Sequence, residues 1–279
     1  MPQTIKILHF SPTGGTRRVA LLLAKGIAPN VREYDLCDPQ AEPTVFHPDD
    51  VALVAGPAYG GRLPAMMTGR LKKWQGNGAR AVAAAVYGGR AYEDTLIELS
   101  DLLRGQGFRV MAAAALLAEH SIVHIAAGRP DEKDARQLGA FGRQIAAKLD
   151  HGSQEEPAVP GSHPYKEWSG MPAVPQVSEA CTGCGLCAEK CPARAIPTGQ
   201  PDTTDPSRCI LCMRCVAICP QQARALPAPM LEALRGKLAP FDAERRENEL
   251  FLDWLALFAG RNRVKGGRQQ IGHAPQADA

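Results

Sequence analysis

Cys181-Thr182-Gly183-Cys184-Gly185-Leu186-Cys187-Ala188-Glu189-Lys190-Cys191-Pro192 repeats 28 residues later as Cys209-Ile210-Leu211-Cys212-Met213-Arg214-Cys215-Val216-Ala217-Ile218-Cys219-Pro220. Each copy reads C-x₂-C-x₂-C-x₃-C-P with one offset at all four cysteines, so the segment is an internal duplication. Three closely spaced thiolates hold three corners of an iron–sulfur cube. The fourth, on a short helix and followed by proline, turns away to serve the neighbouring cube. The spacing therefore assigns one 4Fe–4S cluster to Cys181, Cys184, Cys187 and Cys219, and a second to Cys209, Cys212, Cys215 and Cys191. Zinc would be satisfied by two C-x₂-C pairs per ion, which leaves the third and fourth cysteines and both prolines surplus. Gly183 and Gly185 suit turns that aim N–H groups at cluster sulfurs, while Ile196, Ile210, Ile218 and Leu226 form the expected apolar shell.

Outside this array the only other cysteine is Cys37, read as a small buried hydrophobe rather than a ligand. Eight of nine cysteines in one short segment exclude a disulfide framework for a chain of 279 residues. Clustered thiolates that bind metal point to a reducing, cytoplasmic setting. The opening residues 1–6 lack the pattern of a signal peptide, and no run approaches the roughly 18 apolar residues of a spanning helix. With 45% apolar residues the chain can bury a core. Its 32 basic and 29 acidic residues and 5% aromatic content give neither the field nor the stacking surface that nucleic acid requires.

Upstream, residues 1–151 alternate short β-rich runs with helical stretches. Strands are expected at 4–10, 31–36, 51–56, 79–87 and 108–117, each apolar enough for burial on both faces. Helices are expected at 16–28, 64–74, 91–105 and 131–150. Because parallel neighbours need crossover connections, this order predicts an α/β domain with a doubly wound, five-stranded parallel sheet. Residues 152–175 carry five prolines and read as an extended linker that Tyr165 and Trp168 can pin. The cysteine module occupies 176–227. A helical extension is expected at 228–260, with Leu250, Phe251, Trp254, Leu255 and Phe258 on one face, followed by a disordered tail at 261–279.

Three loops follow strands of the first domain. After the first comes Ser11-Pro12-Thr13-Gly14-Gly15-Thr16, where paired glycines, hydroxyls and a helix start make a phosphate cradle. It matches neither the dinucleotide nor the P-loop fingerprint. Pro57-Ala58-Tyr59-Gly60-Gly61-Arg62 follows the third strand, and Tyr87-Gly88-Gly89-Arg90-Ala91-Tyr92 the fourth. In a sheet of order 2-1-3-4-5 these loops meet at the topological switch point. Tyr59, with Tyr87 or Tyr92, would stack on a planar ring there, and Arg62 and Arg90 are available to an anionic one. Phosphate cradle plus ring slot fits FMN.

On these three loops and Ile125-Ala126-Ala127-Gly128-Arg129-Pro130-Asp131, residues 1–150 resemble the flavodoxin-like family. Residues 177–226 resemble the two-cluster bacterial ferredoxins. The tandem resembles the flavodoxin–ferredoxin fusion proteins of the EFR1 family. That resemblance implies FMN phosphate contacts from Ser11, Thr13, Gly14, Gly15 and Thr16. It also implies that Pro57, Ala58, Tyr59, Gly60 and Gly61, with Tyr87, Gly88, Gly89, Arg90 and Tyr92, flank the isoalloxazine. One departure is that flavodoxins often carry tryptophan in the strand-3 loop, where this chain has Tyr59.

The expected function is electron transfer between the two clusters, FMN and a redox protein partner, because a flavin converts between two-electron and one-electron chemistry. The alternative is an FMN-dependent reductase of a small organic substrate, with Glu119, His120 or His124 supplying a proton; His120 is its candidate catalytic residue.

Overall fold

The computed structural model describes residues 2–252. Five parallel strands, β1 (Thr4–His9), β2 (Asn30–Asp35), β3 (Val51–Pro57), β4 (Arg80–Tyr87) and β5 (Arg109–Leu117), form the sheet. Their order is β2-β1-β3-β4-β5, the flavodoxin-like winding in which the reversal between β1 and β3 opens a crevice at the strands' carboxyl ends. Helices α1 (Gly15–Ala24), α2 (Ala65–Leu71) and α3 (Thr95–Gly105) cross between parallel strands, and α4 (Glu132–Asp150) follows β5. Alternate residues of the central strands feed two cores. Leu8, Val54 and Ala83 face α2 and α3, whereas Ile7, Leu53 and Ala84 face α1 and α4. The alanine-rich β4 and β5 let the helices lie close to the sheet. Contrary to the expectation of burial on both faces, β2 is an edge strand, and Asn30, Val31, Arg32 and Glu33 are exposed on it.

The C-terminal segment corrects a second expectation. Helix α7 (Ala228–Leu238) forms where the extension was expected, but residues 249–251 are extended. β8 (Glu249–Phe251) adds antiparallel to β5 as a sixth strand, pairing Ala113 with Phe251 and Ala115 with Glu249. The helical spacing of Leu250 and Phe251 loses because β5 would otherwise present an unpaired edge. Asn248 also ties the incoming chain: its Oδ1 accepts from Leu117 N at 2.8 Å, and its Nδ2 donates to Asp134 Oδ1 at 2.9 Å. Asp134 is fully buried; burial works to raise its pKa, but Arg129 and its other donors hold it below the usual range. Trp254, Leu255, Phe258 and the tail lie outside the described residues.

Residues 152–175 contain no helix or strand and run along α3. Asp94 accepts from Ser162 N (2.9 Å) and Lys166 N (2.7 Å), and Asp101 accepts from Tyr165 OH (2.6 Å). Arg62 lies 4.8 Å from the Tyr165 ring centroid.

In the cysteine module β6 (Gln176–Val177) pairs antiparallel with β7 (Arg224–Ala225). The duplication is written into the backbone: α5 (Leu186–Glu189) and α6 (Arg214–Ala217) are 28 residues apart. Left-handed conformations recur at the same offset, at Gly183 and Leu211, Gly185 and Met213, and Arg194 and Gln222.

Candidate functional site

The eight array cysteines line two cavities. One is bordered by Cys181, Cys184, Cys187 and Cys219; the other by Cys191, Cys209, Cys212 and Cys215. The fourth cysteine of each copy has thus crossed to the other copy's cavity. Each crossing sulfur accepts the same backbone bond, from Ala195 N to Cys191 and from Ala223 N to Cys219, both at 3.3 Å. Among the described residues no three His, Cys, Asp or Glu side chains converge as a single-ion site. Burial pushes the Cys212 thiol up to about 12 and Cys215 up to about 11. Neither thiol ionises at neutral pH in the metal-free chain.

Of the expected apolar shell, Ile196 and Ile210 line the second cavity, and Leu226 packs with Leu211 and Met213 behind it. Ile218 is half-buried. Cys37 is buried, with its sulfur accepting Ser11 N at 3.2 Å; burial raises its pKa far above an ordinary thiol.

At the mouth of the sheet, Gly14 adopts φ +94° and starts α1 without a capping side chain. The N–H groups of Gly15 and Thr16, in the first turn, therefore lack intrahelical partners. Ser11 Oγ accepts Arg17 N at 2.9 Å, which fixes the loop while leaving the hydroxyl proton to donate. Thr13 and Gly14 are exposed, and a side chain at Gly14 would meet open space. The loop thus presents backbone N–H groups and a hydroxyl at the start of α1.

The ring-flanking tyrosines are placed differently. Tyr59 is half-buried; desolvation of its hydroxyl raises its pKa strongly, and the charges of Cys212 and Cys37 add to the effect. Tyr87 is 5% exposed, and its ring meets Tyr92 edge-on at 5.3 Å. Tyr92 OH lies 3.4 Å from both carboxylate oxygens of Glu249 on β8. Tyr87 is thus a core residue, and Tyr92 a half-buried one packed against that core and tied to the sixth strand.

The aromatic residue that does sit at the loop is Trp168, brought by the linker. Gly60 and Gly61, at φ +60° and +90°, make a tight turn closed by Tyr59 and Arg62 backbone pairing. A Cβ at Gly60 would lie 2.2 Å from the Trp168 indole, and one at Gly61 would collide with the Glu93 carboxylate. The indole therefore packs on the loop backbone while remaining 44% exposed. Sequence reasoning treated Trp168 as an anchor; a lone exposed indole in an otherwise polar linker was the available signal.

Arg62 and Arg90 are committed to other partners. Arg62 forms a bidentate pair with Glu98 at 2.8 and 2.9 Å, and Arg90 pairs with Glu93 at 2.8 Å. His120 packs against Gly88, and its Nδ1 accepts from the N–H groups of Ile122 and Val123. Burial, reinforced by the Arg90 charge, lowers its pKa to about 4, so it is a neutral structural acceptor at pH 7. Glu119 accepts from Gly128 N and pairs with exposed His124 at 2.6 Å.

Residues 180–224 match the family model described as a 4Fe-4S dicluster domain. The C-terminal module is a ferredoxin-type 4Fe–4S domain. Solved structures similar to the α/β domain include rubredoxin oxygen:oxidoreductase from Desulfovibrio gigas, at 18% identity and TM-score 0.39. That alignment covers 53% of this chain and 36% of that one. A flavodoxin from Streptococcus pneumonia TIGR4 aligns at 23% identity and TM-score 0.36, over 52% of this chain and 99% of its own. A flavodoxin from the domain Archaea aligns at 18% identity and TM-score 0.34, over 53% and 99%. No curated protein matches the chain. No described helix is long and apolar enough to cross a membrane.

Proposed function

We propose that this chain is an electron-transfer flavo-iron–sulfur protein of the flavodoxin–ferredoxin fusion (EFR1) type, acting with a redox protein partner in a reducing, cytoplasmic compartment. Cys181, Cys184, Cys187 and Cys219 hold one 4Fe–4S cluster; Cys209, Cys212, Cys215 and Cys191 hold the other. The observation that carries this reading is the sorting of the eight cysteines into two four-cysteine cavities, each completed by the crossing member of the other copy.

FMN is the proposed guest of the strand ends. Gly15 and Thr16 N–H groups with the Ser11 and Thr13 hydroxyls bind its phosphate, and the backbone around Gly60, Gly61, Gly88 and Gly89 borders the ring, with Trp168 at its edge. When bound, a flavin takes up two electrons together and releases them singly, the conversion that one-electron clusters cannot make. The reductase alternative needs a proton donor at the ring. His120 is neutral there and its Nδ1 is engaged, so the carrier reading is the one we take.

The test is cofactor content after anaerobic reconstitution, expected at eight irons and one FMN per chain. Gly14→Val should lose FMN and keep the iron, because φ +94° strains any β-branched residue by roughly 1–2 kcal/mol. Four irons, or eight irons without flavin, would overturn the corresponding half.

A further inference from the structure

The duplication supplies an internal control, because two loops of one motif sit in different surroundings. In the first copy the turn is Thr182-Gly183-Cys184-Gly185, and Thr182, Gly183 and Cys184 are exposed. The equivalent turn is Ile210-Leu211-Cys212-Met213, in which Leu211 and Met213 are 8% and 5% exposed. The backbone is left-handed at both glycines of the first copy, at φ 70° and 76°. It is equally so at Leu211 and Met213, at 52° and 61°. A side chain in that region costs roughly 1–2 kcal/mol, so the apolar residues are retained against a local preference for glycine.

Leu211 and Met213 pack with Leu226, with Met230 and Leu231 of α7, and with Ile122 of the segment after β5, while their neighbours in the turn reach the α/β domain. Ile210 packs on the core of the α/β domain. Arg214 is 3.8 Å from Asp35 at the end of β2. Arg70 of α2 bridges the modules, donating to Leu36 O and Pro192 O at 2.6 Å each. Ile210, Cys212, Arg214 and Pro192 all line the second cavity. The first cavity opens beside exposed Cys184 and Thr182 instead.

We infer that the two centres act in a fixed series: the Cys181/Cys184/Cys187/Cys219 centre exchanges electrons with an external one-electron carrier protein, and the Cys209/Cys212/Cys215/Cys191 centre relays them to or from the loops at the sheet's mouth. This rests on the two-cluster, flavin-bearing reading above. Each pass oxidises the carrier by one electron and reduces the outer centre by one. Transfer inward restores the outer centre and reduces the inner one, and two passes with protons from solvent match one flavin reduction. Running the series backwards reverses every step. Tunnelling falls steeply with distance, so the centre whose lining residues Ile210, Arg214 and Pro192 meet the α/β domain dominates exchange with its loops.

The experiment uses the reconstituted full-length protein, with iron and flavin counted first. In the wild type, limited anaerobic iron chelation with iodoacetamide trapping and peptide mass spectrometry should find Cys181, Cys184, Cys187 and Cys219 alkylated first. Cys184→Ala and Cys212→Ala then each leave one centre. With Cys212→Ala, a reduced ferredoxin should still reduce the remaining centre, while flavin reduction falls at least 100-fold. With Cys184→Ala, electron exchange between photoreduced flavin and the remaining centre should stay within threefold of wild type. Equal or reversed alkylation order, or flavin reduction unimpaired in Cys212→Ala, overturns the series while the cofactor reading stands. A wild-type chain lacking either cofactor overturns both.

Discussion

Replacing Asn248 by alanine tests whether the sixth strand is an integral part of the α/β domain. Asn248 is 3% exposed, and its side chain receives one bond and makes two: from Leu117 N at 2.8 Å, and to Asp134 Oδ1 and Gln137 Oε1, each at 2.9 Å. Leu117 is fully buried, so its orphaned N–H costs about 1–3 kcal/mol. Asp134 loses one donor but keeps Arg129, Arg245 and the Asp131 N–H, which places that loss near ~1 kcal/mol. Gln137 is only half-buried, and water replaces its partner at little cost. The total is about 3 kcal/mol, or roughly 6–12 °C of melting temperature for a domain of this size. Peptide-resolved hydrogen exchange on the holoprotein gives the local reading: the Leu117 amide should exchange about 100-fold faster, since 1.4 kcal/mol is a decade. Gln137→Ala serves as the mild control. Exchange within fivefold of wild type, with an unchanged melting temperature, would refute the argument that this clasp holds β8 to β5.

Two further outcomes follow from the buried charges. His120 has a folded pKa near 4 against about 6.5 unfolded. The unfolded chain therefore binds the extra proton, and the neutral ring's contribution, complete above pH 6.5, is lost as pH falls toward 4. Urea midpoints at pH 7 and pH 5 should differ more in wild type than in His120→Asn, whose side-chain oxygen can replace the Nδ1 acceptor; equal differences would contradict the assignment. Arg224 stands where the first copy has Ile196, 3% exposed, donating to the carbonyl oxygens of Pro201 and Thr203 and to Thr204 Oγ1. It lines the first cavity, and Thr204 lines the second. A buried cation there favours the reduced, more negative clusters, so Arg224→Met should lower the midpoint potentials by up to roughly 59 mV, a tenfold change in a one-electron equilibrium. Arg224→Lys should recover most of that shift, and EPR-monitored titration showing no change in the methionine variant would refute it.

The winding of the sheet and the position of the cysteine module were legible because both are local. Short continuous apolar runs, glycine after strands and a fixed cysteine spacing each report on a few neighbouring residues. The turns around Gly14, Gly183 and Gly185 were equally legible, since positive φ favours glycine. Leu211 and Met213 occupy the same conformation without glycine, and nothing local announces it. Their identity makes sense only through the cluster they form with Leu226, α7 and Ile122, residues far from them in the chain.

The remaining departures share that cause. Tyr92 leaves its expected role through a contact with Glu249, 157 residues away; Arg62 is held by Lys166 O, 104 residues away; and Leu117 meets Asn248 across 131 residues. Each is settled by packing between segments that local propensity cannot relate. All three gather around the carboxyl end of the sheet, where the linker, the second cysteine copy and β8 converge on loops that sequence alone read as open. A surface built from so many distant segments is expensive to assemble unless it is used. That argues for treating the inner centre, the strand-3 loop and Trp168 as one unit. Substitutions at the Ile210–Met213 turn should then alter electron exchange with those loops, whereas substitutions at the Thr182–Gly185 turn should alter only exchange with an external carrier.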